Sequence, residues 1–158
     1  MTVAMFPGTF DPVTNGHLDL IRRSSRIFDK VVVVIFDNPM KKQLFNLDER
    51  HHLLEQVTAD LDNVEINHFS KTLLIFHARE SGANVLIRGV RTIADFEYEA
   101  QMTLMNRHLA GDIETVYLTP RAEYTHVASS LVKEVASYGG DISPFVPPEV
   151  LNALKEKL

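Results

Sequence analysis

Lys30-Val31-Val32-Val33-Val34-Ile35-Phe36 is an unbroken run of β-branched and aromatic residues. A strand with one wet face alternates apolar and polar residues, whereas a strand covered on both faces does not, so this run predicts a central strand with helices above and below its sheet. Asp37-Asn38-Pro39 ends it. The rest of the chain alternates in the same sense, with expected strands at 3–6, 30–36, 64–66, 85–87 and 114–118. Helical spacing of apolar residues falls between them, at 16–28, 47–59, 73–80, 93–109 and 129–138, and a last helix opens at Pro147-Pro148. Asn46 followed by Glu49 is a capping box for the second helix, Gly82 closes the third, and Gly139-Gly140 stops the fifth. Strands alternating with helices predict an α/β chain: one Rossmann-like domain over residues 1–158, with a five-stranded parallel sheet, right-handed crossovers and helices on both faces.

A chain of 158 residues is long enough for one real core, burying roughly 70% of its unfolded surface. There is no cysteine, which excludes disulfides, thiolate catalysis and cysteine-based zinc sites. The net charge of −5 argues against a nucleic-acid polymer as partner. A small anion is still allowed, because a few cations gathered in one cleft, with Lys41, Lys42, Arg88 and Arg91 as candidates, set a local field of their own. The longest strongly apolar run, 31–36, falls well short of the roughly 18 residues of a membrane span, and no leader is legible, so a cytoplasmic protein without membrane contact is expected.

Between the first strand and the first helix lies Pro7-Gly8-Thr9-Phe10-Asp11-Pro12-Val13-Thr14-Asn15-Gly16-His17. Prolines and glycines break regular structure here, Thr14 or Asn15 can cap the helix, and His17 falls on the inward face with Leu20, Ile21, Ser24 and Phe28. Free amides at a helix start, a hydroxyl and an imidazole suit a phosphate. On spacing alone, an ordinary βα turn with a packed histidine fits as well. Ligands of such sheets bind beyond the carboxyl ends of the strands, where Thr9, His17, Lys41, Arg88 to Arg91 and Ser129-Ser130 would converge. There is no GxGxxG after the first strand and no GxxxxGK[ST] anywhere, which sets aside dinucleotide oxidoreductases and P-loop enzymes.

Thr9-Phe10-Asp11-Pro12 with Gly16-His17, and Val127-Ala128-Ser129-Ser130-Leu131-Val132-Lys133-Glu134 late in the chain, resemble the two signatures of the HxGH-type nucleotidyltransferases. Leu86-Ile87-Arg88-Gly89-Val90-Arg91 and Asp95-Phe96-Glu97-Tyr98-Glu99 lie between them. Together the four motifs resemble the phosphopantetheine adenylyltransferase family over nearly the whole chain.

That resemblance implies a nucleotidyltransferase fold and Mg²⁺-dependent transfer of the adenylyl group of ATP to 4′-phosphopantetheine, giving dephospho-coenzyme A and pyrophosphate. The acceptor phosphate would attack the α-phosphorus in line, with no covalent enzyme intermediate. His17, Thr9, Lys41 and Arg91 would be catalytic. Thr9, Lys41, Leu73 and Arg88 would bind phosphopantetheine. ATP would meet Thr9, Phe10, His17, Gly89, Val90, Arg91, Glu99, Tyr124, Thr125, His126, Val127, Ala128, Ser129 and Ser130. Mg²⁺ would be held mainly by ATP phosphates, with no metal ligand from the protein. The resemblance further implies a homohexamer, and coenzyme A, which shares the pantetheine arm, as a feedback ligand.

Each residue has a plainer reading beside this one. Lys41 and Lys42 also fit a solvated loop pair. Arg88, at the end of a buried strand, needs an anion or a carboxylate, and Glu97 and Glu99 could pair with nearby cations. The remaining histidines, at 51, 52, 68, 77, 108 and 126, have no metal-ligand spacing and read as surface or packing residues. Many relatives carry serine where this chain has Ala128. The dipole of the first helix should keep His17 neutral, as a hydrogen-bond donor. On the long helix, Ile93, Phe96, Ala100 and Leu104 share one side, and Tyr98, Met102, Met105 and Leu109 the other. The sheet is expected to cover one of these faces, and either a deep groove of the same domain or another subunit the second. Nearest in function are a superfamily transferase using CTP or another phosphorylated acceptor, and a nucleotide-binding module without turnover.

Overall fold

A computed structural model describes residues 1–158. The elements run β1 (Val3–Gly8), α1 (Asn15–Ile27), β2 (Lys30–Phe36), α2 (Leu47–Val57), β3 (Val64–Phe69), α3 (Leu74–Glu80), β4 (Val85–Gly89), α4 (Ile93–Leu109), β5 (Glu114–Leu118), a 3₁₀ turn (Ala122–Tyr124), α5 (Ser129–Ser137) and α6 (Pro148–Lys157). The five strands form one sheet in the order β3-β2-β1-β4-β5, every neighbouring pair parallel. From β1 the chain builds outward through β2 and β3, then returns to the other side of β1 for β4 and β5. The switch point therefore lies between β1 and β4, where the loops leaving the two strands part and open a crevice.

Alternate residues of the central strands feed two cores. Ala4, Phe6, Val31, Val33, Ile35 and Ile87 meet α1, α2, α5 and α6 through Leu20, Ile21, Leu53, Leu54, Val132, Val150 and Leu154. Val3, Met5, Val32, Val34 and Leu86 meet α3 through Ile75 and Ala78. The β2 run is fully buried from Val31 to Ile35, as a doubly covered strand must be.

Three strands run further than the sequence expectation, and helix ends shift by one or two residues, as at α2, which stops at Val57 rather than Ala59. β3 continues to Phe69, because its register on β2 runs from Val31↔Val64 to Phe36↔Phe69. Polar Asn67 and His68 hid this extension, since only its end at Phe69 is buried. β1 and β4 extend to Gly8 and Gly89, and these glycines carry the strands into the crevice. The capping box at Asn46 and Glu49 forms as expected, with bonds of 2.9 and 2.8 Å.

The long helix α4 departs further. Neither of its apolar sides lies flat on the sheet: only Thr103 is buried, while Ile93, Tyr98, Leu104 and Met105 are 80%, 64%, 66% and 59% exposed. The side turned towards β5 is one edge of the Ile93 stripe, where the Thr103 hydroxyl bonds the Tyr117 hydroxyl and Phe96, a member of that stripe, packs edge-on against that ring. The sheet thus covers only the Phe96 edge of one expected apolar face, beside the polar Thr103, and leaves Ile93 and Leu104 of that face in solvent.

Candidate active site

Beyond the carboxyl ends of β1 and β4 lies a cleft of about 250 Å³. Its floor is Phe6, Pro7 and Gly8 from β1 with Arg88 and Gly89 from β4, and its walls are the starts of α1 and α5. No carboxylate lines it, whereas His17, Arg88 and Arg91 do. A wider groove of about 540 Å³ between α2 and α6 instead gathers Glu49, Glu149 and Glu156 with Lys157. The cation-lined cleft is the one suited to an anion.

His17 enters from the first turn of α1. Thr14, the N-cap, accepts the His17 amide at 3.3 Å, and the His17 Nδ1 accepts the Thr14 amide at 3.1 Å, closing a capping box in which imidazole takes the usual place of a carboxylate. With Nδ1 accepting, the proton of the neutral ring sits on Nε2, which makes no bond within the chain. The ring stands edge-on to Phe10 at 5.0 Å between centroids. Burial first, and the nearby Arg91 charge second, lower its pKa from 6.5 to about 4. The neutral donor expected from the sequence is what results, but desolvation rather than the helix dipole is the main cause.

Arg88 is held by Glu99 through a two-bond fork of 2.8 and 2.7 Å. The strand-end arginine has found its carboxylate, and Glu99 is thereby engaged with Arg88 rather than free in the cleft. Arg91 donates to the Val127 carbonyl at 3.2 Å and pairs loosely with Asp95 at 3.7 Å, which ties the loop after β4 to the segment before α5. At Gly89 a Cβ would stand 2.9 Å from the Leu20 Cδ1, so any larger residue would have to displace that side chain. Across the cleft, α5 begins at Ala128 and Ser129 with no side chain capping its first amides. These amides are therefore open to an anion.

Of the residues singled out from the sequence, His17, Arg88, Gly89, Arg91, Tyr124, Val127, Ala128 and Ser129 line the cleft together. Ser129 also donates to the Pro12 carbonyl at 2.7 Å, which anchors α5 to the β1–α1 loop. Others stand outside the lining. The Phe10 ring is 2% exposed and packs on Phe6 and His17, and Val90 is likewise in the interior. Thr125 bonds the Arg121 carbonyl, His126 stacks edge-on against Phe145, and Ser130 is exposed on α5. Thr9, Lys41, Lys42 and Leu73 are exposed on loops leaving β1, β2 and β3, so the four expected cations do not gather in one cleft. Sequence reading takes the loop holding Pro7, Gly8, Thr14 and Gly16 as a phosphate site without naming these four among the site residues, and it passes over Phe6, Leu20 and Pro120 as lining. Phe6, Pro7, Gly8, Thr14 and Gly16 lie at or beside the first signature, which was the available signal.

No three His, Asp or Glu side chains come together anywhere in the chain as a metal cage. With no carboxylate in the cleft, its residues do not fit a protein-held divalent cation.

Comparison with known proteins identifies a family and a fold. Residues 5–135 match the family described as cytidylyltransferase-like. Phosphopantetheine adenylyltransferase of Alkaliphilus metalliredigens (strain QYMF) is 51% identical over 157 residues, 99% of each chain. Among solved structures, the lipopolysaccharide core biosynthesis protein of Thermoplasma volcanium GSS1 superposes with a TM-score of 0.59 at 20% identity, covering 76% of this chain and 98% of that one, a likeness of fold. Near-complete coverage at that identity, on a sheet whose switch-point cleft presents a neutral imidazole and two arginines, makes the chain a nucleotidyltransferase belonging to the phosphopantetheine adenylyltransferase family.

Proposed function

We propose that this enzyme transfers the adenylyl group of ATP to 4′-phosphopantetheine, releasing pyrophosphate and leaving dephospho-coenzyme A. The observation that carries the reading is the cleft itself: a neutral Nε2–H donor, two guanidinium groups and the uncapped amides of α5 face one space that holds no carboxylate. Adenylyl transfer needs fixed donors rather than a nucleophile from the protein, because the acceptor phosphate attacks the α-phosphorus in line and pyrophosphate leaves. His17 Nε2–H donates to the α-phosphoryl oxygen as charge builds there. Arg91 and the α5 amides hold the phosphates of ATP, with Tyr124 and Val127 against the nucleoside. Arg88, fixed by Glu99, faces the acceptor, whose phosphate is met by Thr9 and Lys41 and whose pantetheine arm runs past Leu73. Phe10 and Val90 serve through their backbone, since their side chains are interior. No residue of the cleft would hold Mg²⁺; carried by the triphosphate, it would supply only an offset to the phosphate charge. The exposed apolar flanks of α4 support assembly of several copies, six by the family resemblance. Coenzyme A, with the same arm, would compete for the acceptor side, and a cytoplasmic place fits soluble substrates.

Pyrophosphate release tests this. The wild-type protein with Mg²⁺ should turn over ATP with 4′-phosphopantetheine, and neither CTP nor nicotinamide mononucleotide should replace its partner. His17→Ala should lose about a hundred- to a thousandfold in kcat. Turnover with CTP instead would move the reading to a cytidylyltransferase, and a His17→Ala enzyme keeping more than about a tenth of kcat would remove the imidazole from the mechanism.

A further inference from the structure

Arg50, on α2, is closed to solvent along its whole side chain and lines no part of the cleft. Its Nε donates to the carbonyls of Phe45 at 3.1 Å and Asn46 at 3.3 Å, one terminal nitrogen to the Thr9 carbonyl at 3.1 Å, and the other to Asp37 and Gln43, both at 2.9 Å. Every acceptor but Thr9 lies on the segment 37–46 that follows β2. From the other side, Asp11 accepts the amides of Leu44 at 3.0 Å and Phe45 at 2.9 Å and pairs with Lys133 of α5 at 2.8 Å. The segment is thus gripped between a buried guanidinium and a buried carboxylate. Lys41 rides on it, exposed and with its ammonium unpaired.

Filling space does not account for Arg50. An apolar side chain of that volume would pack as well without the cost of taking a charge out of water. What only the guanidinium supplies is a planar fork that fixes acceptors on two loops at once. Those two loops carry Thr9 and Lys41.

We propose that Arg50 is a positioning residue for the acceptor half of the site, setting the Thr9 loop and, through segment 37–46, the reach of Lys41, without touching either substrate. The inference rests on the reading of Thr9 and Lys41 as the groups that meet the acceptor phosphate. It separates the substrates: disturbing Arg50 should harm the phosphorylated acceptor far more than ATP, because ATP is held chiefly by groups that Arg50 does not set, with His17 oriented by Thr14 and Arg91 by Asp95 and Val127.

Steady-state kinetics on Arg50→Lys, which keeps the charge and loses the fork, is the direct test. Asp37→Asn leaves Arg50 in place and weakens one clamp by removing its charge, so it serves if the first variant folds poorly. In both, KM for 4′-phosphopantetheine should rise, by about tenfold for Arg50→Lys, with KM for ATP within about twofold. In a Lys41→Ala background the same Arg50→Lys step should raise the acceptor KM by clearly less than its roughly tenfold effect alone, since the share that runs through Lys41 is gone and only the share through the Thr9 loop remains. Amide exchange across 38–46 should accelerate in both variants. Equal rises in both KM values, or full additivity with Lys41→Ala, would overturn the inference. A wild-type enzyme that turns over this substrate pair while both variants keep its KM values would overturn this inference alone. No turnover of that pair by the wild type would overturn the functional reading, and the acceptor assignment with it.

Discussion

His17 owes its chemistry to two neighbours that both favour the neutral ring. Thr14 fixes the tautomer by donating to Nδ1, and the closed surroundings with Arg91 nearby make the protonated ring costly. A histidine whose pKa is about 4 when folded and near 6.5 when unfolded leaves the unfolded chain holding more protons between those values. Stability is therefore full above pH 6.5 and falls as pH drops towards 4. His17→Gln removes this proton uptake but leaves every other group titrating as before. The gap in unfolding free energy between wild type and variant, measured in urea, should shift against the wild type by about 2 kcal/mol between pH 7.5 and 5. A gap independent of pH would mean that the ring is not sheltered from its charge.

At the scale of elements, the start of α5 is left unfinished. Ala128 has N-cap dihedrals, φ −126° and ψ 144°, but no side-chain oxygen to accept the amides of the first turn. Ala128→Ser should supply that acceptor to the Leu131 amide and raise stability by about 0.5–2 kcal/mol, read as a higher denaturation midpoint at unchanged m. A midpoint unchanged or lower would show that the amides are already satisfied. The contrast with α2 explains what the sequence made legible. Asn46 and Glu49 cap α2 three residues apart, and the β2 run reveals its burial by composition, so both are visible locally. Asp11 and Lys133 pair across 122 positions, and of the five groups that Arg50 bonds only Phe45, Asn46 and Gln43 lie within seven residues, while three of the five are backbone carbonyls, which no motif displays. Motif order found the cleft through His17, Arg88 and Arg91, whereas the frame that holds its loops follows only from the folded chain. Glu99 is intermediate: its position was singled out, but its engagement with Arg88 depends on how α4 lies over β4.

Across the whole molecule, α4 is the element whose sequence and surroundings disagree. Ile93, Tyr98, Leu104 and Met105 are exposed large side chains on its two apolar stripes, and monomers seldom leave that much apolar helix surface in water. Each copy also carries a net charge of −5, so self-association must work against long-range repulsion that salt screens. Leu104→Glu discriminates between a helix that merely tolerates exposure and one that is covered by another copy. In an isolated chain a residue 66% exposed should accept the change within about 0.5 kcal/mol, whereas a carboxylate in an apolar subunit contact is opposed by desolvation. Sedimentation velocity should therefore show wild type as an assembly that tightens with added salt, and Leu104→Glu as smaller species that unfold at nearly the same urea concentration as the isolated wild-type chain. A variant that sediments with the wild type would clear the Leu104 stripe and move the contact to the Met105 side, where Met105→Glu repeats the experiment. A wild type that sediments as a single chain at every salt concentration would leave α4 an exposed helix and end the assembly reading.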